Sequence, residues 1–313
     1  MSALIVTALI RFLIFPGLLF TAVAGLLATW VDRKVTARIQ WRVGPPVLQP
    51  FYDFLKLMGK EIVVPRGASK IAFLGAPLAG LAAAALAATL VGTAALDPAG
   101  GFSGDLIILL YLLAVPSLAL VLGAASSKNP LASVGASREM KLVLSYELPF
   151  ILVMLVAVVK SGGTLRLGSL LAYQAEHGSF AWSISGVVAM LVGVLCTQAK
   201  LALVPFDQAE AETEIMGGAL IEYSGAPLAV FKLTKAMMTM VVPVFLIVTL
   251  WGGFGHTAGS VVLGVGKYVV LLVAVILIRN TNPRVRIEQA MKFFWGPVTA
   301  AAVLAVILAF IGV

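Results

Sequence analysis

Long apolar runs separated by charged loops leave this chain one architecture. Such runs lie near 4–30, 71–95, 106–125, 142–160, 183–204, 226–250, 261–279 and 297–313, built mostly of Ala, Gly, Leu and Val. A helix needs roughly 20 apolar residues to cross a bilayer, and in lipid it satisfies its own backbone. Hydrophobic residues make up 61% of the 313 and charged residues 12%, more apolar content than a soluble core requires. The expected fold is all-α: a polytopic membrane bundle of about eight transmembrane helices, as a single membrane domain over 1–313 with no linker. The first run is long and lacks a small-residue cleavage site after a short apolar core, so it reads as a retained helix. No paired broken helices repeat along the chain, which disfavours an inverted-repeat carrier.

The formal net charge of +8 raises the question of a nucleic-acid partner. Its distribution answers it. The first loop carries Arg33, Lys34, Arg38, Arg42, Lys56, Lys60, Arg66 and Lys70; the third carries Lys128, Arg138 and Lys141; the seventh carries Arg279, Arg284, Arg286 and Lys292. The even loops hold only Lys160, Arg166 and Lys267. The positive-inside bias places the odd loops in the cytoplasm and both termini outside. Basicity is thus a matter of topology, with no nucleic acid implied. Cys196 is the one cysteine, and His177 and His256 stand in outer loops without ligand spacing. Such a set forms neither a zinc site nor a four-thiolate cluster, so no metal or redox cofactor is expected in this chain. No Gly-rich nucleotide loop is present either.

Charge chemistry concentrates in Pro205–Gly225, PFDQAEAETEIMGGALIEYSG. It holds Asp207, Glu210, Glu212, Glu214 and Glu222, five of the fourteen acidic residues in the chain. If 207–214 is helical, Asp207, Glu210 and Glu214 share a face and Glu212 points away. Only Lys200 is near in sequence, so local pairing does not neutralise the set. Crowded carboxylates resist joint ionisation, the physical basis of a proton relay. A solvated acidic loop is the plainer alternative. A second constellation, SREMKLVLSYELPF, puts Glu147 inside the fourth run, two turns beyond Glu139. Pro149 frees the carbonyl of Ser145, so Ser145, Tyr146 and Glu147 are expected to form a polar break in an apolar helix. Glu147 reads either as a proton-path residue or as the partner of a buried cation. Lys232 and Lys235, in the sixth run, are candidate partners or snorkelling groups. Asp32, Asp97 and Asp105 sit at span ends, where capping or solvation accounts for them.

The first loop, VDRKVTARIQWRVGPPVLQPFYDFLKLMGKE, is amphipathic. Beyond the Gly44-Pro45-Pro46 break, Phe51, Phe54, Leu55 and Met58 recur at helical spacing. It is an interfacial helix on lipid head groups or a surface that docks a cytoplasmic partner; the residues alone leave both open.

These features resemble the NuoH family of complex I membrane subunits and its relatives in energy-converting hydrogenases, over nearly the whole chain. The resemblance rests on Pro205, Phe206, Asp207, Glu210, Ala211, Glu212 and Glu214, followed by Glu222, Tyr223, Ser224 and Gly225. It rests also on Gln49, Pro50, Asp53 and Lys56, with Lys60-Glu61 after them. Ala209 stands where respiratory members usually have proline. The segment before Gln49 is shortened, which argues against a quinone site. That short form, with GASREMKLVLSYELP, is similar to the ion-translocating membrane subunit of group 4 nickel–iron hydrogenases such as formate hydrogenlyase.

The resemblance implies a non-catalytic membrane-anchor and proton-coupling subunit of an oxidoreductase complex in the inner membrane. Its partners would be soluble hydrogenase large and small subunits, a ferredoxin-like cluster subunit and antiporter-like membrane subunits. Iron–sulfur clusters and a nickel–iron centre would sit in those partners, none in this chain. Arg33, Lys34, Arg38, Arg42, Gln49, Asp53, Lys56, Lys60 and Glu61 would dock them. Asp207, Glu210, Glu212, Glu214, Glu222, Glu139 and Glu147 would carry protons. The alternatives are a quinone-binding subunit of a complex I-type enzyme and a stand-alone ion transporter.

Overall fold

Seven segments among the described residues are helical, long and apolar enough to cross a bilayer. This computed structural model describes residues 2–255 and 257–313, with side chains from residue 5 onward. His256 lies outside the described residues. The first span, Ile5–Ile39, is formed by α1 (Ser2–Leu13) and α2 (Leu18–Ile39), which meet at a bend before Leu18. Then come α3 (Gln49–Met58), α4 (Lys70–Leu96), α5 (Asp105–Ser126), α6 (Pro130–Lys160) and α7 (Leu167–His177). After α8 (Ile184–Lys200), the acidic segment holds the single-turn α9 (Glu212–Ile215) between 3₁₀ turns at Gln208–Glu210 and Gly218–Leu220. The chain closes with α10 (Gly225–Leu250), α11 (Ala258–Thr281), α12 (Ile287–Phe293) and α13 (Thr299–Ile311). The remaining expected span, the fifth run at 183–204, corresponds to α8, an apolar helix of 17 residues that rises about 25 Å, at the short end of what spans a bilayer.

Two boundaries differ from expectation for local reasons. The third loop is mostly helix, because Asn129 caps α6 by accepting the Leu131 N–H at 2.8 Å and Pro130 takes the first helical position. Glu139 therefore belongs to a membrane helix and not to a loop. Pro149 does not break α6, which runs unbroken for 31 residues. Ser145 returns its hydroxyl to the Lys141 carbonyl at 2.7 Å, so no polar gap opens.

The axis of the bundle is α10, buried along most of its length and packed on α2, α4 and α11. Gly25 sets the approach of α2. A Cβ there would stand 2.3 Å from the carbonyl oxygen of Ala236, so only glycine lets the two backbones come this close. That contact anchors the N-terminal span against the helix carrying Lys232 and Lys235.

Candidate functional site

A chamber of about 820 Å³ lies between α2, α3, α10 and α11. The amphipathic α3 forms one wall, through Pro50, Asp53, Phe54, Lys56, Leu57 and Lys60. The expected stripe of Phe51, Phe54, Leu55 and Met58 is therefore split: Phe54 faces the chamber, whereas Leu55 and Met58 are exposed. Among the predicted docking residues, Arg33 of α2 fastens α3 through Asp53, which Gln49 of the same helix also holds. Arg33 Nη1 donates to Asp53 Oδ2 at 2.7 Å, and Gln49 Nε2 donates to Asp53 Oδ1 at 2.9 Å. The Arg33 guanidinium holds the Asp53 carboxyl below its ordinary value of 3.8. A depressed carboxylate stabilises above its unfolded pKa and loses that contribution as pH falls through the folded value. We predict that α3 stays anchored down to about pH 4 and loosens below it, by no more than about 1 kcal/mol because the pair is half exposed. Hydrogen exchange of residues 49–58 reads this directly, and Asp53→Asn should remove the acid step.

At the other end of the chamber stands Glu139, 1% exposed, with Oε2 accepting no hydrogen bond among the described residues. Buried polar atoms almost always have a partner, so this carboxylate oxygen in the chamber wall is left open to a hydrogen-bonding partner that the described residues do not supply. Ser117, Lys200, Glu210, Glu212 and Lys235 line the same space. Lys200, fully buried at its side chain, lines the chamber and bonds Glu147, two turns along α6 from Glu139, at 2.5 Å. Its ammonium also lies 5.0 Å and 4.8 Å from the ring centres of Tyr146 and Phe150, a cation–π cradle. Of the two readings of Glu147, the buried-cation partnership is thus observed, with Lys200 and not Lys232 or Lys235 as the partner.

The acidic segment departs from a continuous helix. Asp207 precedes a single 3₁₀ turn at Gln208–Glu210, and Glu212–Ile215 form one further turn. Three of its carboxylates, Asp207, Glu210 and Glu214, are ion-paired. Arg284 grips Asp207 with two bonds, Nε to Oδ1 at 2.7 Å and Nη2 to Oδ2 at 2.5 Å. Lys235 Nζ meets Glu210 Oε2 at 2.8 Å, and Arg138 Nη1 meets Glu214 Oε2 at 2.6 Å. The Asp207 hydrogen bond raises the Arg284 pKa further. Only the nearby sequence lacks partners; the fold brings them from α6, α10 and the loop before α12. Asp207, Glu210 and Glu212 face a smaller cavity of about 220 Å³ that shares Glu210, Lys235 and Arg279 with the main chamber. Glu214 lies outside both, its side chain 49% exposed.

Glu222 is separate from the other acids. It accepts the Asn129 amide at 2.5 Å, at the start of α6. Beside it, Tyr223 donates its hydroxyl to the Phe73 carbonyl at 3.0 Å and stacks on the Phe73 ring. Burial raises the Tyr223 pKa, so it stays a donor. Ser224 Oγ donates to the Glu61 carbonyl at 3.1 Å, and a Cβ on Gly225 would stand 2.7 Å from the carbonyl oxygens of both Lys60 and Glu61. The EYSG tetrad is therefore a clasp: it ties the first loop, α4 and α6 to the start of α10. Lys34 turns to the Gly44 carbonyl at 3.4 Å, while Arg38, Arg42, Lys56, Lys60 and Glu61 are exposed.

Asp32, expected only to cap or solvate a span end, is instead 9% exposed and paired with Arg279 of α11. It lines the chamber with Oδ1 unpartnered among the described residues. Arg279 borders both cavities. A matching of charges at the ends of the first and seventh spans is the one available sequence signal, and it does not specify a contact. Asp105, likewise expected at a span end, is buried and accepts the Leu167 N–H at 2.7 Å.

The NADH dehydrogenase family model matches residues 10–310. A subunit of the NADH-quinone oxidoreductase of Thermomicrobium roseum is 33% identical over 326 aligned residues, covering 96% of this chain and 94% of the relative. The corresponding subunit from Wolbachia pipientis is 32% identical over 334, with the same coverage of both chains. Among solved structures, a chain of the membrane-bound sulfane sulfur reductase, an archaeal respiratory membrane complex, superposes with a TM-score of 0.86 at 26% identity. That match covers 97% of this chain and 99% of the other.

Proposed function

This chain belongs to the NADH dehydrogenase family as a multi-pass membrane subunit of a complex I-like respiratory complex, and from that premise we propose that it couples electron transfer in soluble partners to ion movement in the membrane. The carrying observation is that one chamber touches α3, Glu210, Glu139 and Lys200 together. A redox step in a docked partner would perturb α3 and the acidic segment. The perturbation would pass to Glu210 and Lys235, then to Glu139, then through Lys200 to Glu147 and on to a membrane partner. Asp207 and Glu214 would tune the entrance through Arg284 and Arg138, and Glu212 from the walls of both cavities. Glu222 would act by clasping loops and not by carrying a proton.

The complex we favour is an energy-converting nickel–iron hydrogenase, with soluble large and small subunits, a ferredoxin-like cluster subunit and antiporter-like membrane subunits. The shortened segment at Gly44-Pro45-Pro46 and the SREMKLVLSYELP sequence support it. The chain would act as one membrane unit in the inner membrane with both termini outside.

A quinone reductase is the second reading, favoured by a chamber within the usual size range of ligand sites and by the names of both relatives. Turnover of the purified complex separates the two. Hydrogen evolution that ignores quinone-site inhibitors supports the hydrogenase; quinone reduction that they abolish supports the second reading. A stand-alone transporter would move ions in liposomes without redox partners, and no ion movement is expected from the isolated chain.

A further inference from the structure

α2 ends in a helix stop that normally belongs to glycine. The Arg42 N–H bonds the Ala37 carbonyl at 2.7 Å, and the Trp41 N–H bonds the Arg38 carbonyl at 3.1 Å. This is the Schellman pattern, and its left-handed residue is Trp41, at φ 58°. A residue with a Cβ is strained in that region, and glycine is not. The indole has no role inside the chain that would compensate: Trp41 is 98% exposed and Val43, two residues on, is 91% exposed. The loop presenting them is braced. Trp30 Nε1 donates to the Pro45 carbonyl at 3.2 Å, and Lys34 Nζ to the Gly44 carbonyl at 3.4 Å. Arg38 and Arg42 flank the indole, exposed and in no ion pair among the described residues.

Tryptophan is also common at the membrane interface, at head-group level. The geometry of α2 argues against that position here. Its apolar run ends at Val31, and the helix continues to Ile39 through Asp32, Arg33, Lys34 and Arg38. Eight residues of helix rise about 12 Å. The head-group layer is only about 5–7 Å deep on each side. With Val31 at the hydrocarbon edge and α2 near the membrane normal, Trp41 clears that layer and reaches water.

We propose that Trp41 is the anchor of the protein docking surface: it and Val43 enter an apolar pocket on a soluble redox subunit, whose acidic rim receives Arg38 and Arg42. Exposed, pre-organised tryptophan flanked by arginine is the composition of interface hot spots. The inference rests on the docking role proposed above for this loop and adds the anchor and the chemistry of its partner.

Trp41→Gly tests it cleanly, because glycine suits the left-handed position and should fold at least as well. The tagged full-length chain, purified with its complex in mild detergent, should retain its membrane subunits while its soluble subunits fall at least ten-fold at sub-saturating concentration. Unchanged retention would overturn the anchor. So would quenching of Trp41 fluorescence by brominated lipid in nanodiscs holding the chain alone, with the Trp41→Gly chain as blank, since lipid would then be the occupant. Arg38→Glu with Arg42→Glu separates the two levels. If the charge reversals release the soluble subunits and Trp41→Gly does not, only the anchor fails; if neither does, the docking role of the loop fails as well.

Discussion

Replacing Glu147 by leucine should cost the folded chain about 3–5 kcal/mol, among the largest effects of any single change. The reason is the position of Lys200, whose side chain has no exposure and whose ammonium bonds Glu147 at 2.5 Å. Removing the carboxylate leaves a cation in an apolar cradle of Tyr146 and Phe150 with nothing to balance it. Lys200→Met should cost less, because Glu147 keeps some access to the surface at 20% exposure. The double change should recover most of the loss, since an apolar pair of similar volume often replaces a buried ion pair at little cost. Denaturation of the detergent-solubilised complex, run as a double-mutant cycle, measures the coupling. Additive losses would mean that the two groups do not depend on each other. The double variant should also be the informative one for function: a stable complex in which the proposed step from the chamber to Glu147 is gone.

The second large effect concerns Glu139. Glu139→Gln keeps its size and removes the exchangeable acid, so the fold should be nearly unaffected. Redox-driven ion-gradient formation in proteoliposomes should fall at least ten-fold, while electron transfer to an artificial dye stays within about two-fold of the unmodified complex, as expected when a relay residue and not a redox site is removed. Loss of both activities would point to misassembly. Retention of both would take Glu139 off the path, despite its orphaned oxygen in the chamber wall.

Much of this is legible in the sequence, and the part that is not has a common cause. The spans follow from apolar length alone. The family follows from Pro205–Gly225 and Gln49–Glu61. The concentration of acids near the chamber is visible as composition. What one sequence does not reveal is pairing across distance. Asp207 meets Arg284 across 77 positions, Glu214 meets Arg138 across 76 and Glu147 meets Lys200 across 53. Each therefore reads, from sequence, as less neutralised than it is. Asp32 escapes sequence reading for the same reason, since Arg279 lies 247 positions away. Local rules hold where the interactions are local. Asn129-Pro130 starts α6, and that rule applied strictly places Glu139 in a membrane helix. The EYSG tetrad shows the converse: from sequence only Glu222 draws notice, as an acid, whereas the contacts of Glu222, Tyr223 and Ser224 together make a clasp.

The account stands on one idea, that the chamber links the docking face to the membrane interior by protonation of Glu139. Infrared difference spectroscopy of the intact complex, between its oxidised and reduced states, observes this directly in the carboxyl C=O region. The predicted result is a carboxyl band that changes on reduction, shifts in heavy water and vanishes in Glu139→Gln. A carboxyl difference spectrum identical in the complex and in the Glu139→Gln variant, with ion pumping intact in both, would contradict it.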